Sequence, residues 1–187
     1  ASLPADQIAI FLLFSFFIRF APYSGFGTIS YITKVLPQAH EQSDQQQVVL
    51  NASRMVFLLA AIYFGVALLL FYISASGDIS EIAQLAIAFL AISLILIMTM
   101  QQTVSRSLFA FPVYVVSQML QAILALGLGL FLIPPFGING LYTAVLMSYG
   151  GAIIVWWLLS PQKLWPSAST SFTLSDLMLP LRAGGWF

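Results

Sequence analysis

The most unusual chemical group in this sequence is an arginine inside an apolar stretch. Arg19 lies near the middle of a run from about residue 7 to residue 37, among Phe, Leu and Ile side chains. A charge at membrane depth costs roughly 2.5–3.5 kcal/mol on insertion scales, and by default it faces a cavity or a partner. In one interpretation Arg19 binds an anionic group, such as a phosphate, in a water-filled cavity. In the others it pairs with a carboxylate from elsewhere, or it extends along the apolar surface to water.

Further polar residues follow Arg19 at helical spacing on about the same face: Tyr23, Ser30 and Lys34. Pro22 and Gly25 lie between them and predict a kink or break near residues 21–27. Unwound backbone is tolerated at membrane depth where it lines a cavity, so this break is one candidate frame for a binding site. The alternative is an ordinary kink that fits a neighbouring helix.

A polar stripe also runs along a later apolar segment, at i, i+3, i+4 and i+7: Tyr114, Ser117, Gln118 and Gln121. A similar stripe precedes it: Thr99, Gln102 and Arg106. These stripes predict either a hydrophilic lumen or hydrogen bonds between helices, which contribute about 0.6 kcal/mol each on average. The candidate substrate-binding residues are therefore Arg19, Tyr23, Ser30, Gln102, Tyr114, Gln118 and Gln121.

No other recognisable chemistry accompanies these residues. The sequence has no cysteine and one histidine, His40, and it contains no Gly-rich phosphate loop and no Ser/His/Asp grouping. We therefore expect no catalytic residues, no metal site and no cofactor. A net charge of zero also gives no indication of nucleic-acid binding.

The elements that position the polar residues follow from composition. The chain is 60% hydrophobic and only 6% charged, whereas about a quarter of the residues in soluble domains are charged. The sequence predicts an all-α fold, a polytopic membrane helix bundle of about five transmembrane helices in a single domain over residues 1–187. The predicted spans are residues 7–37, 48–73, 80–104, 109–133 and 140–159, and a further helix begins within residues 173–187. A polar linker is expected at residues 40–47.

The basic residues set the predicted orientation. Those near the loops after the first, third and fifth spans are Lys34, Arg54, Arg106, Lys163 and Arg182. The loop at residues 74–80 and the hairpin at residues 134–139 carry no basic residue. The positive-inside rule then places the basic loops in the cytoplasm and the N-terminal end outside. Because the sequence starts without Met and ends as a new apolar run begins, we expect a piece of a longer polytopic chain.

Several segments together resemble the Wzx-type oligosaccharide (polysaccharide) flippases of the MOP exporter superfamily. Residues 101–154 resemble the family in a short basic break around Arg106, a helix that starts near Tyr114, a proline end and an FGINGL hairpin at residues 136–141. Upstream, the Val35-Leu36-Pro37-Gln38 run before a polar linker is similar to the end of the family's second helix, and LSDLMLPLRAGGWF is similar to the lead-in to its seventh.

The resemblance implies helices two to six of a MOP-type transporter, about half of its bundle. It further implies a protein of the bacterial inner membrane that moves lipid-linked oligosaccharide by alternating access, among membrane lipids and glycan polymerase or assembly proteins, and that is not an enzyme. Two alternatives stay open: a MATE-like small-molecule exporter, which a carboxylate deep in a span would favour, and a membrane-embedded glycan polymerase or ligase, which needs a large outer loop. A purely structural membrane subunit is a third.

Overall fold

All elements in the described part of the chain are helical. The computed structural model describes residues 12, 14–16, 18–25, 27–77, 80–160 and 179–180. Residues 12–20, as far as they are described, are α-helical and form what we call the N-terminal segment. They lead into a 3-10 turn at Ala21–Gly25, and a second 3-10 turn lies at Leu36–Gln38. The α-helices are α1 (Thr28–Val35), α2 (Gln42–Gly77), α3 (Ser80–Ser107), α4 (Phe111–Phe136) and α5 (Ile138–Leu159).

Four of these helices, α2 to α5, are long and apolar enough to cross a membrane. This confirms the predicted all-α polytopic helix bundle. The first of the five predicted spans is divided into shorter helical pieces where it is described, and the predicted start of a helix at residues 173–187 lies outside the described residues except for 179 and 180. The chain is therefore a multi-pass membrane protein.

The break predicted at residues 21–27 is present. Gly27 has a φ of 80°, a left-handed conformation that side chains with a Cβ rarely adopt, and α1 begins directly after it. The hydroxyl of Thr28 donates to the carbonyl oxygen of Gly25 at 2.6 Å. Both residues are buried, so this hydrogen bond gives the hydroxyl and the carbonyl oxygen a partner. The chain thus unwinds and restarts between the N-terminal segment and α1.

The predicted linker at residues 40–47 differs from the structure, since α2 begins at Gln42. Gln is a good helix former, and Asp44 in the first turn interacts favourably with the helix dipole. With 36 residues, α2 is about 54 Å long, which exceeds the roughly 30 Å hydrocarbon core. Its polar first turns therefore extend beyond the apolar layer.

Helices α2 and α3 pack antiparallel through small side chains. The hydroxyl of Ser93 on α3 donates to the carbonyl oxygen of Ala60 on α2 at 3.1 Å, and the rings of Tyr63 and Phe89 stack with centroids 6.1 Å apart. The interface is lined by buried alanines, including Ala52, Ala60, Ala88 and Ala91. Small residues let the two backbones approach closely, which is the main source of helix association in a bilayer.

Helices α4 and α5 form a hairpin that packs on α3 mainly through α5. The sequence predicted that α4 ends before Pro134 and Pro135. Both prolines instead lie inside the helix, because they remove backbone donors only from its last turn. The helix ends instead at Gly137, whose N–H donates to the carbonyl oxygen of Ile133 at 2.7 Å. On the other side of the bundle, the indole N–H of Trp156 donates to the buried hydroxyl of Ser105 at 2.6 Å and fixes α5 against α3.

Candidate functional site

A cavity of about 440 Å³ lies between the break at residues 21–27 and the second half of α3. Its polar lining comes from Tyr23, Ser30, Thr33, Thr99, Thr103 and Arg106. Helical spacing explains the α3 side of this lining, since Thr99, Thr103 and Arg106 fall on one face of the helix. The break exposes the start of α1 to the same space, so the unwound backbone does line a cavity.

The threonine hydroxyls around this cavity use their protons within their own helices. Thr99 donates to the carbonyl oxygen of Ile95 at 2.7 Å, and Thr103 donates to that of Thr99 at 2.7 Å. Thr33 does the same on α1 with the carbonyl oxygen of Ile29 at 3.0 Å. Each hydroxyl oxygen then has only its lone pairs left, so it can accept a hydrogen bond from a ligand but cannot donate one.

Arg106 is the charged group among the residues that line this cavity. Its guanidinium carbon lies 4.7 Å from the centroid of the Tyr114 ring, which connects the end of α3 with the start of α4. An arginine stays charged at any physiological pH, and an aromatic ring at this distance attracts it without neutralising it. The cavity therefore carries a fixed positive charge at one end.

A second cavity, of about 130 Å³, lies between α3, α4, α5 and the N-terminal segment. Its polar lining is Thr99, Gln102, Gln118, Gln121 and Tyr149. Gln102 comes from α3, the other two glutamines come from α4, and Tyr149 comes from α5. Side chains that are far apart in sequence, from Ile18 to Tyr149, thus meet around one small space.

The glutamine side chains around the smaller cavity form no hydrogen bonds within the described part of the chain. Gln102 is only 9% exposed. A buried amide without a partner costs about 1–3 kcal/mol in proteins, so its usual complement is water or a ligand. The structure therefore does not show the hydrogen bonds between helices that were one interpretation of the glutamine stripe.

The two cavities lie on either side of α3 residue Thr99, which lines both of them. Gln102 faces the smaller cavity one turn further along α3, and Arg106 faces the larger cavity at the end of the helix. Polar lining residues thus follow one another along α3, with amides around the smaller cavity and a guanidinium at the larger one. We refer to the two cavities together as the α3 path.

The candidate residues from the sequence are placed as follows. Tyr23 and Ser30 line the larger cavity, Gln102, Gln118 and Gln121 line the smaller one, and Tyr114 lies under the Arg106 guanidinium. Arg19 is exposed, lines neither cavity and forms no ion pair with a described acidic residue. The residue before it, Ile18, lines the smaller cavity. The cavity role predicted for Arg19 thus stays a prediction.

Sequence reasoning did not select Arg106, Tyr149 or the α1 threonine Thr33 as candidates. Arg106 ends the stripe of Thr99 and Gln102, but we interpreted it as one of the basic loop residues that set the orientation. The residues three and four positions from Tyr149 are all apolar, so spacing did not distinguish it from an aromatic packing residue: Val145, Leu146, Ala152 and Ile153. Among the described residues, no group of three potential metal ligands is present.

Comparison with protein-family models, with curated proteins and with solved structures gives no match. The fold and site therefore define a class only: a polytopic α-helical membrane protein with two polar cavities between its helices.

Proposed function

We propose that this protein is a transporter that flips lipid-linked oligosaccharide, carried on undecaprenyl pyrophosphate, across the bacterial inner membrane by alternating access. The observation that carries the proposal is the group of glutamine amides around the smaller cavity, which have no hydrogen-bonding partners in the described chain. Gln102 is buried, Gln121 is half-buried and Gln118 is exposed. A buried amide in a membrane bundle is costly unless a polar ligand or water lies beside it.

The chemistry of the α3 path fits the headgroup of such a lipid. A lipid-linked glycan presents hydroxyl groups on its sugars and negative charge on its phosphates. The amides of Gln102 and Gln118 both donate and accept hydrogen bonds, as sugar hydroxyls do, and Arg106 supplies a positive charge for the phosphates. The order and spacing of the segments that resemble Wzx-type flippases support the same function.

The lining of the α3 path also bears on the alternatives. None of the residues that line its two cavities is acidic, and a cation-coupled exporter of the MATE type would need a carboxylate at membrane depth. The described acids nearest to α1, Glu41 and Asp44, are exposed at the start of α2. We accordingly propose a transporter rather than an enzyme, with membrane lipids and glycan assembly proteins as its surroundings.

Deletion of the gene in its native host tests this function. Loss of a flippase stops surface glycan and leaves the lipid-linked unit on the cytoplasmic face, where it is accessible only in inside-out vesicles. Complementation with the complete reading frame should restore the surface glycan. Loss of a polymerase would instead leave single repeat units on the surface, and unchanged surface glycan after deletion would contradict the proposal.

A further inference from the structure

We infer that the smaller cavity is a subsite for one uncharged sugar residue, separate from the charged part of the headgroup. This inference rests on the proposed function and assigns a particular part of the substrate to Gln102, Gln118, Gln121 and Tyr149. Its volume of about 130 Å³ is well below the roughly 300–1,000 Å³ of sites for whole drug-sized ligands. The cavity therefore suits one part of a larger ligand.

The lining of this cavity is polar but uncharged. Three amides and a phenol face a space that also borders Ile18, Ile95 and Met98. A phosphate would have no positive charge to pair with there, and a buried unpaired charge is costly. The nearest cation on the α3 path is Arg106, which lines the other cavity. The charge distribution therefore assigns the phosphate away from the glutamines.

The hydrogen-bonding capacity of the lining matches a sugar ring better than a metal ion. Each amide offers an acceptor oxygen and an N–H₂ donor, and the Thr99 oxygen offers acceptor lone pairs because its proton is held by the carbonyl oxygen of Ile95 at 2.7 Å. A sugar hydroxyl uses donors and acceptors together. A cation would use only the oxygens and would leave the amide N–H groups without partners. The apolar side chains of Ile95 and Met98 can cover the C–H surface of the ring.

The burial of Gln102 is the second independent reason for a ligand here. Its side chain is 9% exposed and has no hydrogen bond within the described chain. The neighbouring residue Gln101 is 2% exposed, and its Oε1 is buried without a hydrogen-bond partner, but it lines neither cavity. Gln102 differs from it because its amide borders an open space. Gln102 is thus a nine-tenths buried amide that borders an open polar space, which is the arrangement that a bound hydroxyl group would complete.

The test compares two soluble short-chain probes on the complete protein in lipid nanodiscs: a prenyl pyrophosphate that carries one N-acetylhexosamine, and the same prenyl pyrophosphate without sugar. We expect the wild-type protein to bind the sugar-linked probe more tightly. The double variant Gln102→Met and Gln118→Met keeps the side-chain volume but removes the amides. It should lose about tenfold in affinity for the sugar-linked probe, as expected for two ordinary hydrogen bonds, with unchanged affinity for the sugar-free probe.

Gln84→Met is the matched control, because Gln84 lies on the same helix but borders neither cavity. It should leave both affinities unchanged. Equal affinity of the wild-type protein for the two probes, or an equal loss for both probes in the double variant, would overturn the subsite. A double variant that keeps the sugar preference but loses a dependence on Na⁺ would identify a cation site instead and would also overturn it. If neither probe binds the wild-type protein, the proposed function itself fails.

Discussion

At the scale of single residues, the contact between Arg106 and Tyr114 decides where positive charge sits on the α3 path. The guanidinium lies 4.7 Å from the ring centroid, and the ring attracts the charge without forming a neutral pair. Arg106 can therefore hold its orientation and still attract an anion in the larger cavity. A carboxylate partner would have fixed the side chain equally well, but it would have cancelled the charge.

Substitutions at Tyr114 test this arrangement. Tyr114→Phe keeps the ring face and should leave export unchanged, whereas Tyr114→Leu removes the cation–π attraction. Since that attraction is worth about 0.5–1 kcal/mol at an exposed site, Tyr114→Leu should weaken binding of a prenyl pyrophosphate about two- to fivefold. Binding is measured on the purified protein, with membrane abundance as the control. Equal binding by the Phe and Leu variants would show that the ring plays no part in holding Arg106.

Arg19 remains the strongest residue prediction that comes from the sequence. Its planar, permanently charged fork suits phosphate, and lysine would keep the charge but lose the bidentate geometry. Arg19→Ala should abolish export with normal membrane insertion, because removal of an intramembrane charge does not impair insertion. Arg19→Lys should retain part of the activity. Surface glycan is measured in the deletion host at matched protein level, and full export by the Ala variant would rule out a binding role.

The residue types of the polar path could be read from spacing, but their partners could not. Gln118 and Gln121 follow one another on a helical face, so their common direction was predictable. Whether they meet Gln102 or bond to each other depends on the rotation of α4 against α3, which the sequence of either helix leaves open. Tyr149 joins them because α5 packs beside α3, and Arg19 lines neither cavity although Ile18 next to it does.

At the scale of elements, the α4–α5 hairpin packs most closely at Gly140. A Cβ on Gly140 would collide with the backbone carbonyl oxygen of Leu132. Gly127 and Gly150, by contrast, have open space where a Cβ would be. The sequence predicts close helix packing at the glycines in the middle of these helices, Gly127, Gly129, Gly150 and Gly151. Gly151 is close to α4, since a Cβ there would lie 2.7 Å from Leu124 Cδ1, but the tightest approach is near the turn, where α5 starts next to the last turns of α4.

Gly140→Ala should therefore destabilise the protein. A backbone atom cannot rotate away, so overpacking should cost about 1–3 kcal/mol, which exceeds the roughly 0.5–1 kcal/mol that alanine gains over glycine in a helix. Gly127→Ala and Gly150→Ala should show only that gain and be neutral or slightly stabilising. Thermal unfolding of the purified variants in one detergent measures the difference. A Gly140→Ala variant as stable as the other two would show that the hairpin can separate without cost.

The helix boundaries show what the hydrophobic pattern can and cannot determine. It located the four long helices because each needs about 20 apolar residues to span the hydrocarbon core. It placed the start of α2 too late, at residue 48, because hydropathy does not detect the polar turns from Gln42 onward. The first turns of α2 lie in water and are stabilised by helix propensity and by the charge of Asp44 near the N-terminal end. They have no apolar periodicity from which the helix could be predicted.

At the scale of the whole molecule, the helix directions fix which ends lie together. Helices α2 and α3 are antiparallel, because the contacts Ser93–Ala60 and Phe89–Tyr63 run in opposite directions along the two helices. The start of α2 and the end of α3 therefore lie on one side. The Trp156–Ser105 hydrogen bond then brings the end of α5 to that same side. The α4–α5 turn lies at the opposite side, and so does the end of α2. The charged end of the α3 path is thus on the side that carries Asp44.

The positive-inside rule assigns that side to the cytoplasm, because Lys34, Arg54 and Arg106 all lie toward it, whereas the α4–α5 turn carries no charge. The sequence contains no cysteine, so these 187 residues give no background when single cysteines are introduced. Asp44 and Asn139 are both exposed and suit labelling. A cysteine at Asn139 should react with a membrane-impermeant maleimide in intact cells, and a cysteine at Asp44 should react only after permeabilisation. Labelling of Asp44 together with protection of Asn139 would reverse the orientation. It would place the Arg106 end of the path at the outer face, where a flippase releases its substrate rather than receives it.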